Sequence, residues 1–116
     1  MSSNKPKFAV NIEGVPINLF DSVQYQEGSI VSREIFQKAG GSITIFSFSE
    51  DQGLSEHVSP YEASAYILEG SCKITIAGKE FHVNAGEIII MPANVPHAVQ
   101  AITQFKMLLI MIREKK

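Results

Sequence analysis

Ten short runs rich in β-branched and aromatic residues fill this chain almost end to end, and that density constrains the fold more than any other feature. They are "FAVNI", "INLF", "SIVSREIF", "SITIFSF", "ASAYIL", "CKITIA", "KEFHV", "EIIIM", "HAVQAI" and "FKMLLIMI", separated by Gly, Pro, Asn or Asp. Closely spaced short strands with turn signals predict an all-β sandwich or barrel. With 116 residues and 45% hydrophobic content, one core is the natural outcome, so a single domain is expected over residues 1–116. "SREIFQKAGG" could also form a turn or two of helix ended by its glycines, but Ile30, Val31, Ile35 and Phe36 suit a strand, which is the reading adopted.

Alternation assigns faces. Ala77 and Gly78 sit between alternating segments and predict a tight hairpin. Period two then turns Cys72, Ile74 and Ile76 inward with Phe81 and Val83, and leaves Lys73, Thr75 and His82 outside. The final strand, residues 104–112, breaks the pattern. Phe105, Met107, Leu109 and Met111 make one apolar face, while Leu108, Ile110 and Ile112 make the other. A strand apolar on both faces must be covered on its outer side. A homodimer is the expected cover, with the N-terminal segment as the alternative.

Charge and cysteine usage narrow the function. A formal net charge of -2 offers no basic footprint for phosphates, so no nucleic-acid partner is expected. The single cysteine, Cys72, excludes an intramolecular disulfide and a cysteine-based zinc cluster, and a reducing cytoplasm is the expected location. "MSSNKPKFAVNIEGVP" lacks a signal-peptide core, and "MLLIMI" is too short to span a bilayer, so no membrane association is expected. "REKK" reads as a solvated tail.

Two segments carry the chemistry. Residues 53–70 hold His57, Ser59, Ala63 and Gly70, and residues 86–101 hold Gly86, Pro92, Asn94, His97 and Ala101. The spacing of these positions resembles the two motifs of the cupin superfamily, of the small cupin 2 conserved-barrel type. That resemblance implies a double-stranded β-helix, or jelly-roll, barrel, with N-terminal strands over residues 8–48. It also implies a divalent transition metal held by three histidines and a glutamate. Here Ser59 stands at the second histidine position, Ala63 at the glutamate position, Asn94 at a glycine position and Ala101 at the terminal asparagine. Only His57 and His97 remain as metal ligands.

A catalytic transition metal usually takes about three protein ligands, and the non-haem iron arrangement needs a carboxylate beside two histidines. Glu62 is the candidate third ligand, although alternation sends it to the face opposite Ala63 unless a bulge near Pro60 turns it inward. Met91 and Met107 would be soft copper(I) ligands if they converged on the histidines; core filling is the expected role.

Ser55, His57 and Ser59 are expected on the inward face of one strand, Ala63, Ala65 and Ile67 on the next, and His97, Val99 and Ala101 on a third. Small residues where ligands would stand leave a cavity with a few polar groups, the usual make-up of a small-molecule site. The expected binding residues are therefore His57, Ser59, Ala63, Ala65, His97 and Val99. The leading expectation is a cupin binding a small organic ligand with an incomplete metal shell. The competing one is a metal-dependent dioxygenase or isomerase using His57 and His97.

Overall fold

The computed structural model describes residues 13–113. Its strands are β1 (Ile30–Lys38), β2 (Gly41–Phe48), β3 (Gly53–His57), β4 (Tyr61–Glu69), β5 (Ser71–Ile76), β6 (Lys79–Asn84), β7 (Ile88–Met91), β8 (His97–Ala101) and β9 (Phe105–Arg113). They form two antiparallel sheets, ordered β1-β2-β9-β4-β7 and β3-β8-β5-β6, in a jelly-roll barrel. Eight of the ten sequence runs coincide with strands. "FAVNI" lies outside the described residues.

"INLF" is a correction. It leads into a short 3-10 turn, Phe20–Ser22, rather than a strand. Asn18 is the cause: its side-chain oxygen accepts from the Asp21 amide at 2.9 Å, and its carbonyl accepts from the Ser22 hydroxyl at 2.6 Å. An Asn side chain that bonds nearby backbone in this way favours a turn over an extended ladder.

The alternation inferred for the β5–β6 hairpin matches the burial pattern. Cys72 and Ile74 are fully buried, Val83 is buried, and His82 is exposed. Burial in apolar surroundings pushes the Cys72 thiol up to about 12, so it stays protonated and packs as a small hydrophobe. Ala77 and Gly78 both take positive φ, 50° and 83°, as a two-residue turn matched to strand twist requires. Gly70, between β4 and β5, has φ 81°, and a Cβ there would collide with the carbonyl oxygen of Gln104. Only glycine fits this corner.

Two apolar clusters divide the molecule. Between the sheets, Ala65, Ile67, Cys72, Ile74, Ala101, Phe105 and Met107 pack as the main core. Phe48 and Phe105, paired at one end of the β2–β9 ladder, stack fully buried with centroids 4.4 Å apart and 15° between planes. Outside the five-stranded sheet, Val23, Ile35 and Ile45 form a second cluster with Leu19, Val31 and Leu108.

The N-terminal segment therefore covers part of the outer face of β9. Lys106 anchors it: although buried, its ammonium donates to the Phe20 carbonyl at 2.7 Å and stands 3.9 Å from the Phe20 ring centroid. Tyr25 adds a second tie, donating at 2.5 Å to the Glu69 carboxylate. Burial, followed by that carboxylate, holds the Tyr25 phenol well above its ordinary value. Further along the sheet, Tyr66, Ile88, Ile90 and Ile112 remain exposed.

Candidate functional site

At the end of the barrel opposite the stacked phenylalanines lies a cavity of about 320 Å³. Its walls are Phe46, Leu54, His57, Ser59, Ala63, Met91, His97, Val99, Met107, Leu109 and Met111. Five of the six residues expected in the pocket are thus brought together. The sixth, Ala65, is fully buried in the core and is not among the lining residues. Across β7 and β9 it pairs with Ile89 and Leu109, and of these three only Leu109 lines the cavity.

The histidines face each other because β3 and β8 pair antiparallel with His57 opposite His97. Their ring centroids are 4.4 Å apart at 68°, an edge-to-face contact. His97 is buried, whereas His57 stands exposed at the mouth. Each ring is held the same way. The Nδ1 of His57 lies 2.8 Å from the Ser55 carbonyl and the Nδ1 of His97 lies 3.2 Å from the Val95 carbonyl. A carbonyl can only accept, so these contacts assign the proton to Nδ1 in each neutral ring and leave Nε2 with a lone pair. Desolvation lowers the His97 pKa, and the neighbouring His57 lowers it further against the opposing effect of the Val95 carbonyl. His97 is therefore neutral at pH 7.

The loop before β8 delivers His97. The Asn94 amide donates to the Ser59 carbonyl at 2.7 Å, and the Ala77 amide donates to the Pro96 carbonyl at 2.9 Å. Asn94 adopts φ 64°, a left-handed geometry that asparagine tolerates almost as glycine does, so its place at a glycine position costs little. The Ser59 hydroxyl accepts from the Tyr61 amide at 3.1 Å, which occupies it locally at the cavity rim.

Strict alternation along β3 is a further correction. A register shift lies between Leu54 and His57, so these two residues both reach the cavity while Ser55 is exposed outside it. An irregularity of this kind re-aims every side chain beyond it. Ser59 lies in the loop after β3 rather than on the strand, yet still lines the cavity.

Glu62 is not re-aimed. The β4–β9 register runs unbroken from Tyr61 to Ile67, so Glu62 is exposed and shares the outer face with its partner Ile112. Among the described residues, no group of three His, Cys, Asp or Glu side chains is placed to hold a metal ion. Two imidazoles without a carboxylate do not fit the family's divalent metal, because nothing here offsets a double positive charge in an apolar well.

The cavity residues that sequence reasoning does not identify as binding candidates are Phe46, Leu54, Leu109 and Met111, together with Met91 and Met107, whose expected role is core filling. Met107, Leu109 and Met111 share parity along β9, so that signal was present in the sequence. What it lacked was the depth at which the core ends. No helix among the described residues is long and apolar enough to cross a membrane.

Residues 44–113 match the family described as the cupin domain. A solved structure of a conserved protein of unknown function from Streptococcus pyogenes is similar, at 33% identity and TM-score 0.85, covering 97% of this chain and all of that one. A cupin 2 conserved barrel domain protein from Leptotrichia buccalis is 42% identical with TM-score 0.81. The match covers 84% of this chain but 47% of that protein, so this chain spans about half its length. A cupin superfamily protein from Desulfitobacterium hafniense is 25% identical, with TM-score 0.76 over 79% of this chain and 84% of that chain. Among functionally curated proteins, none matches the chain.

Proposed function

The chain belongs to the cupin family, and on that premise we propose that it binds a small, largely apolar organic ligand in its barrel cavity, with His57 and His97 as the polar recognition pair. The observation that carries this reading is the pair of imidazoles that line an otherwise apolar well with their Nδ1 atoms tied to backbone carbonyls, which leaves Nε2 of each ring as the free acceptor. A ligand with an apolar body and one hydroxyl or N–H donor satisfies such a site, since a few fixed polar groups orient what the apolar walls bind.

The metal-dependent dioxygenase or isomerase reading has less support, because Glu62 faces away from the cavity and no other carboxylate lines it.

Phenol is a suitable probe. It should shift the ring resonances of both histidines saturably in the native chain, and Ala63→Leu, which fills the well without changing its charge, should abolish the response. No saturable shift in the native chain would refute the proposal.

A pairing of two copies through the outer face of the five-stranded sheet is part of the same proposal. Ile90, Ser64 and Ile110 form one row across β7, β4 and β9, and Ile88 and Tyr66 extend it. Leu108 is instead covered by the chain's own N-terminal segment. Ile90→Asp should therefore halve the sedimenting mass without unfolding the barrel, and unchanged sedimentation would contradict the pairing.

A further inference from the structure

We propose that the cavity is also a site for a soft monovalent cation of the copper(I) class, held by His57 and His97 through Nε2 and by the thioethers of Met91 and Met111. The proposal uses the cavity described above but does not depend on its binding an organic ligand.

Register places the thioethers. Ala63 pairs with Met91 on β7 and with Met111 on β9, so both methionines are lateral neighbours of the position where the family carries its glutamate. Side chains directly opposite on adjacent strands share a face, with Cβ atoms about 5 Å apart. All three residues line the cavity with the two histidines, and Met107 lies deeper on the same wall. Thus the hard anionic donor is replaced by an alanine flanked by two soft neutral ones.

Donor chemistry selects the ion. Thioether sulfur favours copper(I) over divalent zinc, manganese or iron, and imidazole is compatible with it. The whole set is neutral, and the Born cost of burying an ion rises with the square of its charge, so a divalent ion meets a penalty about fourfold larger here than a monovalent one. Both imidazoles also show the arrangement usual for metal-bound histidine, with the remote ring nitrogen fixed by a carbonyl. Met91 is 2% exposed, so its sulfur is largely shielded from solvent and from oxidation.

The test is anaerobic titration of the full chain with copper(I) buffered by bicinchoninate. The native chain should withdraw one copper(I) per chain from the chelator. Met91→Leu and Met111→Leu, which conserve volume, should each weaken binding about tenfold or more with little change in thermal midpoint. In nitrogen-15 spectra, binding should move the Nε2 resonances of both histidines and leave Nδ1 protonated.

Three results would overturn the proposal: no copper withdrawn, undiminished affinity in the Met91→Leu, Met111→Leu double variant, or zinc(II) bound as tightly as copper(I). The phenol response should persist in the methionine variants. A failure of copper binding is therefore distinguishable from a failure of the organic-ligand reading.

Discussion

Restoring the missing carboxylate should convert this cavity into a divalent metal site. Ala63 is 3% exposed and lines the same cavity as His57 and His97, so Ala63→Glu adds a carboxymethyl arm to a space of about 320 Å³. Without metal the new carboxyl is desolvated and only partly hydrogen-bonded, which should cost about 2–4 kcal/mol of stability. With zinc(II) or cobalt(II) at about 100 times its dissociation constant, the folded state regains about 2.7 kcal/mol. For a domain of this size that corresponds to a rise of about 10 °C in thermal midpoint. The assay is thermal unfolding with and without metal, on the native chain, Ala63→Glu and the uncharged Ala63→Gln. Only the glutamate variant should respond. If its midpoint moves no more than that of the native chain or the glutamine variant, then charge and ligand count are not what this cavity lacks.

Three further outcomes follow from geometry already described. Gly70→Ala should destabilise by more than about 3 kcal/mol in chemical denaturation, since it combines a left-handed backbone with a collision against Gln104; a loss below about 0.5 kcal/mol, within ordinary surface-mutation scatter, would refute the corner's role. Ala77→Asn should stabilise by about 0.5–1 kcal/mol, because asparagine tolerates the φ of 50° that alanine resists; an unchanged or lower denaturation midpoint would count against it. His97 binds its proton more weakly folded than unfolded, so its contribution to stability is fully present above about pH 6.5 and is lost as pH falls from there towards its depressed folded value. Comparing unfolding free energies of the native chain and His97→Gln between pH 7.5 and 5 isolates that slope, which should be shallower in the variant.

Much of the fold was legible because alternation and turn chemistry are local. Cys72, Ile74, Val83 and His82 take the faces that parity assigns, and the Ala77-Gly78 hairpin closes where its composition says. "INLF" failed because Asn18 offered the backbone a local hydrogen bond that outweighed the β preference of its neighbours. The site was legible at His57 and His97, whose pairing follows from two motifs on adjacent strands. It was not legible at Leu54, because a register shift carries no sequence signature in "GLSEH", nor at Ala65, because period two gives a residue's face but not its depth. Strand β9 shows the same limit: its outer face needed a cover, and only tertiary structure divides that face between Lys106 and Leu108 under the N-terminal segment and the exposed Ile112.

Phe48 and Phe105, fully buried and stacked, fill the barrel at the end away from the cavity, whose rim carries the exposed His57. A guest must leave by the route it took in. Crowding the rim should slow arrival and departure by equal factors and leave occupancy at equilibrium untouched, whereas altering the depths changes how long a guest stays and hence how much is held.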